Sequence, residues 1–134
     1  MKLKRFLTIA ILSLMSFQGY ATHLLGGEIV WKCKPNGKYQ FTLVLYRECA
    51  GISLPTTAQS LATNAGVSIS CAFISTTDVV PSCYTGTTTC AGATSGTGKM
   101  QKYVYRSGDI TLTGTPPASG WYFTWNSCCR PGSI

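Results

Sequence analysis

The sequence predicts an all-β fold, a disulfide-stapled antiparallel sandwich of the immunoglobulin-like kind, and three observations lead to it. Apolar and polar side chains alternate with a period of two after residue 21, and no segment there keeps a helical period over eleven residues. Glycine, proline and asparagine separate six or seven such strand-like segments. The chain also carries seven cysteines in 134 residues, a number typical of small domains from oxidising compartments.

The chain opens with a segment typical of a secretory signal peptide, predicted over residues 1–21. A positively charged start at 1–5 precedes an apolar run at 6–17, and the small residues Gly19 and Ala21 match the −3 and −1 positions of a cleavage site. The apolar run has twelve residues, fewer than the roughly 20 that a helix needs to cross a bilayer. We therefore expect cleavage after Ala21, secretion of the protein, and only a transient contact with the membrane.

The mature module, residues 22–134, is less basic than the full chain. The full sequence has 11 Lys and Arg residues against 4 Asp and Glu residues, a formal net charge of +7. Three of the cations lie in the signal peptide, so eight remain against the same four acids and the net charge falls to +4. These cations are scattered, and no continuous basic stripe could follow a phosphate backbone. The pattern argues against nucleic acid as a partner.

All seven cysteines lie in the mature module, and an exported chain meets an oxidising compartment. We interpret them as a disulfide framework rather than as metal ligands, since the chain has no Cys-x-x-Cys pair and only one histidine. No metal and no cofactor is expected. Seven cysteines allow three bridges and leave one thiol over. The disulfide candidates are Cys33, Cys49, Cys71, Cys83, Cys90, Cys128 and Cys129.

The first two strands are predicted at 28–34 and 38–49, on either side of an Asn-Gly turn signal. A two-residue turn would mix apolar and polar side chains on both faces of the hairpin, whereas a three-residue loop at 35–37 separates them. Because a slip by one residue turns every side chain to the other face, we predict the second register. It pairs Trp31 with Phe41, Ile29 with Leu43 and Cys33 with Tyr39 on one face, and Lys32 with Gln40, Val30 with Thr42 and Lys34 with Lys38 on the other.

This register also constrains the disulfides. It places Cys33 and Cys49 inward at opposite ends of the hairpin, roughly 33 Å apart along the second strand. A disulfide needs Cα atoms within about 7 Å, so these two cysteines should not bond to each other. Cys83 and Cys90 bracket a short polar turn, and a local bridge between them fits that spacing.

The remainder of the chain alternates loop-like and strand-like segments. Both a pair of strands and a single bulged strand are compatible with the segment around Ser107-Gly108-Asp109. We predict a loop at 50–66, a strand at 67–73, a turn at 83–90, a loop at 91–99, strand character at 103–105 and 110–113, and a last strand at 121–126.

No constellation of side chains in the mature module supports catalysis. A glycosidase needs two carboxylates across a cleft, but Glu28 and Glu48 share the polar face of the hairpin, roughly 13 Å apart along the pairing. The single histidine, His23, lies near the predicted mature terminus, where neither a metal site nor a nucleophile–histidine–acid triad can be assembled. We expect no enzymatic activity and interpret the glutamates as solvated strand charges.

Aromatic residues alternate with other residues near the end of the chain. We interpret Trp121, Phe123 and Trp125 as inward core residues and Tyr122 as an outward one. Exposed aromatic side chains can also form a carbohydrate-binding face, which gives an alternative function. An outward binding patch is expected to include Tyr46, Tyr122, Lys32, Lys34 and Lys38.

Three segments in combination resemble a known family. They are Thr-His-Leu-Leu-Gly-Gly-Glu-Ile at 22–29, the strand ending in Leu-Tyr-Arg-Glu-Cys at 45–49, and the stretch from Trp121 to Cys-Cys-Arg-Pro at 128–131. Together they are similar to the N-terminal region of large exported surface proteins of Bacteroidetes, many of them associated with gliding motility.

The resemblance implies a non-enzymatic cell-surface component with a structural or adhesive role, whose partners are other surface proteins or surface glycans. Such proteins carry repeated sandwich domains and a C-terminal sorting domain for type IX secretion. This sequence stops at Ile134, so we expect residues 22–134 to be the N-terminal part of a longer protein. Proteins of this type tend to carry a cysteine before the tryptophan, where this chain has 117–120, and that difference accounts for the odd cysteine count.

Overall fold

The computed structural model describes residues 24–81, 83–86, 89–94 and 98–127. The predicted signal peptide, His23, Cys128 and Cys129 lie outside the described residues. No helix occurs in these described ranges, so none there is long and apolar enough to cross a membrane. The strands are β1 (Leu24–Cys33), β2 (Tyr39–Glu48), β3 (Gln59–Thr63), β4 (Ile69–Val79), β5 (Met100–Ser107) and β6 (Phe123–Thr124).

The six strands form one antiparallel sheet in the order β1-β2-β5-β4-β3-β6. The sheet curls strongly, because the ring of Phe41 on β2 lies 4.6 Å from the ring of Phe123 on β6 although three strands separate β2 from β6 in the sheet order. The antiparallel all-β class is therefore confirmed. The described strands form one sheet close to a barrel, whereas the sequence led us to expect two stacked sheets.

The first hairpin has the predicted register, with each of the six predicted pairs in place. Its turn is the three-residue loop: the Lys34 N–H donates to the Lys38 carbonyl at 2.8 Å, and the Gly37 N–H donates to the Lys34 carbonyl at 3.0 Å. Gly37 has a φ of 73°, the left-handed conformation that glycine adopts without steric cost. Separation of apolar and polar side chains by face was thus sufficient to set the register.

Several element boundaries differ from the sequence prediction. The segment 50–66, expected to be a loop, contains β3. Leu61 is the buried apolar residue of this strand and its neighbours are small or polar, so the sequence shows no apolar alternation there. The segment 110–113 forms no strand and makes a single bridge from Ile110 to Tyr39. The last strand is limited to two residues, β6, instead of 121–126. These short segments bond to the sheet through partners distant in sequence, which local periodicity does not reveal.

The core lies inside the curl of the sheet. Its buried members alternate along β2 and β5, with outward residues between them, as expected for strands that cover one core. Tyr105 is fully buried, and its hydroxyl donates to the Pro55 carbonyl at 2.8 Å; burial raises the pKa of this phenol to about 12. The central cluster consists of Phe41, Leu43, Leu45, Leu61, Ile69, Cys71, Tyr103 and Tyr105.

Candidate functional site

The two edge strands of the sheet, β1 and β6, face a common cleft of about 350 Å³. Its floor is apolar and is formed by inward side chains of β2 together with Phe123 and Trp125. Glu28 is also among the residues that line it. The indole N–H of Trp125 donates to the side-chain oxygen of Gln59 at 3.2 Å, which fixes the indole against the wall. We call this cleft the seam.

Two glycines shape the β1 side of the seam. A Cβ on Gly27 would lie 2.6 Å from the Val44 carbonyl oxygen and 2.7 Å from Leu45 Cδ2, so only glycine lets the two strands approach this closely. A Cβ on Gly26 would meet nothing within 4 Å. The pairing of β1 with β2 shifts between Leu24 and Gly26, and such irregularities occur often at sheet edges. Close packing of β1 against β2 therefore requires glycine at position 27 but not at position 26.

Strand β1 is an exposed edge. Within the described ranges it pairs with β2 alone, and eight of its ten residues are exposed. Three of its apolar side chains are about half or more exposed: Leu25 at 48%, Val30 at 50% and Trp31 at 60%. Natural proteins usually protect a long edge with proline, a cover or short strands, because unpaired backbone groups invite another strand. The apolar edge and the seam together form the best candidate binding surface of the described residues.

The loops at the far end of β2 are held by a disulfide between Cys49 and Cys90. The expectation that Cys33 and Cys49 do not bond to each other is confirmed. The predicted local bridge between Cys83 and Cys90 is absent, so that prediction is wrong. Cys90 is bonded to Cys49, and Cys83 is free and exposed. The spacing of Cys83 and Cys90 suited a local bridge, but the fold brings the segment around Cys90 next to the end of β2, where the Cys49 N–H donates to the Lys99 carbonyl at 3.0 Å.

Arg47 organises the same region. Its guanidinium is nearly buried, donates to the Glu48 carbonyl at 3.3 Å and to the Gly51 carbonyl, and also holds Gln101. It lies 5.9 Å from the centre of the Tyr103 ring, within the range of a cation–π contact. The arginine of the Leu-Tyr-Arg-Glu-Cys motif therefore holds backbone carbonyls in place at the end of β2.

Asp78 links this network to the disulfide. One carboxylate oxygen accepts the Cys90 N–H at 2.9 Å, and the other accepts the Gln101 side-chain N–H at 2.8 Å. The Cys90 hydrogen bond above all, then Gln101 and the positive charge of Arg47, lower the pKa of the Asp78 carboxyl. A charged Asp78 thus helps to position the bridged loop.

The other described cysteines are not bonded. Cys33 is exposed, although the hairpin register was expected to turn it inward, because the curled sheet leaves the tip of β1 uncovered. Cys71 is fully buried, as predicted, and burial raises the pKa of its thiol to about 11. A buried thiol with a raised pKa is a weak nucleophile.

The structure does not bring the predicted binding residues into one patch. Tyr46 lies six residues along β2 from the partner of Lys32, roughly 20 Å away. Lys34 forms an ion pair with Asp109 across the base of the turn, and Lys38 is exposed at the other side of that turn.

Tyr122 is 53% exposed and lies just before β6 on the opposite edge of the sheet. Its backbone N–H donates to the Asn64 side-chain oxygen at 2.9 Å. The aromatic and basic residues predicted as one outward patch therefore lie at separate places.

The carboxylates of the hairpin occupy different environments. Glu28 is exposed as expected, but Glu48 is only 8% exposed, which corrects its interpretation as a solvated charge. In the observed register Glu28 faces Val44, four residues before Glu48, which agrees with the predicted spacing. No group of three His, Cys, Asp or Glu side chains that could hold a metal ion occurs in the ranges that the structure describes.

The outward face beside β1 carries a shallow hollow that the sequence reasoning missed. Trp31 lies at its edge, and Gln40, Thr42 and Arg106 provide polar groups around it. The alternation signal assigned Trp31 to the covered face, and only the incomplete closure of the sheet leaves its ring exposed.

No protein-family model, no curated protein and no solved structure matches this chain.

Proposed function

We propose that this chain is a non-enzymatic, secreted cell-surface module with a structural or adhesive role, of the kind associated with gliding motility, that binds other surface proteins through β1 and the seam. The proposal is carried by the outer edge of β1, which pairs with no further strand in the part of the chain that the structure describes and which presents exposed Val30 and Trp31 beside an apolar cleft. Partner chains bind to such edges by adding a strand, with main-chain hydrogen bonds for affinity and side-chain contacts for specificity.

The signal-peptide pattern at 1–21 and the Cys49–Cys90 bridge support secretion. Disulfides persist in oxidising compartments outside the cytosol. The immunoglobulin-like division into two sheets stays part of this proposal, as does the position of the module in a longer surface protein. The same holds for the resemblance to Bacteroidetes surface proteins, which rests on the three sequence segments.

Surface labelling in a Bacteroidetes host tests the proposal. The chain would be expressed with a C-terminal epitope, labelled on intact cells with a membrane-impermeant reagent, and its mature N-terminus sequenced. We expect labelled protein that begins at Thr22 and binds to surface proteins of the host in a cross-linking experiment. Retention inside the cell with residues 1–21 attached would contradict the secreted location.

A carbohydrate-binding module is the second candidate. The observation that favours it is Trp31, which is 60% exposed and belongs to the residues that line the hollow with Gln40, Thr42 and Arg106, since sugars stack on exposed aromatic faces and bond to polar neighbours. The sequence suggested Tyr122 as the outward aromatic residue for this role, and it placed Tyr46 in the general outward binding patch. A glycan array probed with the mature protein and with Trp31→Ala separates the candidates. Absence of binding to every glycan would exclude the carbohydrate module.

A further inference from the structure

We infer that two copies of this chain pair through their β1 strands, antiparallel about a two-fold axis at Val30, so that two curled sheets join edge to edge. The inference rests on the free edge used in the proposed function and specifies one partner and one register for it. It does not depend on where the protein acts, so an association experiment and the surface-labelling experiment can fail separately.

The backbone of β1 is oriented for this contact. On the neighbouring strand, Tyr39 exchanges both its backbone hydrogen bonds with Ile110 at 2.8 Å, so its polar groups point away from β1. Cys33, opposite Tyr39, therefore directs its own N–H and C=O to the free edge. Because orientation alternates along a strand, the same holds for Ile29 and Trp31.

The side chains along this edge are available. Glu28 and Lys32 are exposed, and neither makes an ion pair or hydrogen bond with a residue that the structure describes. They lie on the same face of one strand, roughly 13 Å apart, which is too far for an ion pair between them. Between them Val30 is 50% exposed, and on the other face Trp31 is 60% exposed. Opposite charges thus flank an apolar centre.

A second copy supplies the complement of each of these groups. With the axis at Val30, Glu28 lies opposite Lys32 of the other copy, and this pair occurs twice by symmetry. Val30 meets its own equivalent, and Ile29 lies opposite Trp31. The Ile29–Trp31 pairs are of the hydrogen-bonded kind, which agrees with the edge-directed backbone groups of both residues. The opposite charges, the apolar contact at Val30 and the direction of the backbone groups are thus all compatible with an axis at Val30.

Other registers lose the double pairing of Glu28 with Lys32. An axis at Glu28 or at Lys32 sets that charge against its own equivalent, and like charges directly opposite are destabilising. With the axis at Ile29, Glu28 faces Val30 and has no cation opposite it. With the axis at Trp31, Glu28 faces Lys34, whose ammonium group already forms an ion pair with Asp109. The proposed register is therefore the one that specifies pairing of a second copy.

A charge exchange tests the register. The mature protein and the variants Glu28→Lys, Lys32→Glu and the double variant would be compared by sedimentation velocity, with thermal unfolding to confirm that each is folded. We expect a concentration-dependent dimer that each single variant weakens by about tenfold or more and that the double variant restores to within about threefold. Lys38→Glu, at an exposed turn position outside the contact, should leave association unchanged.

Nonspecific charge effects predict a different pattern. Glu28→Lys and Lys32→Glu change the net charge in opposite directions, so general repulsion would weaken one association and strengthen the other. A protein that stays monomeric up to about 0.2 mM, or a double variant with the summed loss of both single variants, would overturn the inference. In this register Cys33 of the two copies lies far apart, so a dimer lost in Cys33→Ser would also overturn it.

Discussion

Arg47 donates two hydrogen bonds, at 3.0 and 2.7 Å, to the same side-chain oxygen of Gln101. That oxygen also accepts the Tyr103 hydroxyl at 3.0 Å, and the amide nitrogen of Gln101 donates to Asp78. The amide therefore joins β2, β4 and β5 at the end of the sheet where the disulfide lies. Stability of this end is expected to depend on a polar network as well as on apolar burial.

Replacing Arg47 tests the network. Arg47→Met leaves the Gln101 oxygen and the backbone carbonyls of the loop without their donor, and unsatisfied buried polar groups are costly. We expect a loss of about 2–4 kcal/mol in the free energy of unfolding, measured with urea. Arg106→Met, at an exposed position of β5, should change it by less than about 0.5 kcal/mol. Equal losses would contradict a special role of Arg47.

The disulfide should carry a comparable part of the stability. Cys49 and Cys90 are separated by 41 residues, and cross-linking a loop of that length restricts the unfolded chain. The double variant Cys49→Ala/Cys90→Ala should lose about 2–4 kcal/mol in urea unfolding. Cys83→Ala, which removes an exposed free thiol, is the control and should unfold with the wild type. If Cys83→Ala lost more stability than the double variant, Cys90 would be bonded to Cys83 and not to Cys49.

The two neighbouring glycines of the seam should respond differently to alanine. Gly27→Ala places a Cβ against Val44 and Leu45 and should lower the midpoint of thermal unfolding, with a cost of about 1–3 kcal/mol. Gly26→Ala meets no atom within 4 Å and should be neutral or slightly stabilising, because alanine restricts the unfolded chain. Reversal of this order would show that β1 approaches β2 differently.

Acid should weaken the Asp78 contacts. Because the pKa of Asp78 is lowered on folding, its ionised form contributes stability above its unfolded pKa of 3.8, and that contribution is lost as the pH falls through the lower folded value. The stability difference between wild type and Asp78→Asn should thus be present at neutral pH and shrink below about pH 4. Urea unfolding from pH 2.5 to 7 measures it, and a difference independent of pH would contradict the assignment.

The thiols should differ in reactivity with an alkylating reagent in the native state. Exposed Cys33 and Cys83 should react rapidly, while Cys71, buried and with a raised pKa, should react only after unfolding. Mass spectrometry of labelled peptides assigns each site. Rapid native labelling of Cys71 would mean that the strand containing it opens readily.

The sequence predicted the parts of the fold that depend on neighbours along the chain. The face alternation of β1 and β2, together with a three-residue loop, was enough for the whole hairpin register. The inward position of Cys71 followed from alternation in the same way. By contrast, β3 was missed because Leu61 is its one buried apolar side chain, and a single position sets no period.

The candidate site was predicted only in part. From the sequence, Glu28 was interpreted as a solvated charge, and the Gly-Gly step was noted only as part of the segment 22–29 that carries the family resemblance. The exposure of Trp31 and the seam depend on how far the sheet closes, and the partner of Cys49 depends on where a segment 41 residues away is placed.

Composition and periodicity by themselves determined an all-β chain, its antiparallel first hairpin and the exclusion of a bond between Cys33 and Cys49. The tertiary structure decided the curl of the sheet, the Cys49–Cys90 bridge, the burial of Arg47 and the free apolar edge at β1. The physical reason is the range of the interactions: alternation and turn chemistry act between neighbours, whereas closure of a sheet and pairing of distant cysteines follow from the packing of all its strands together.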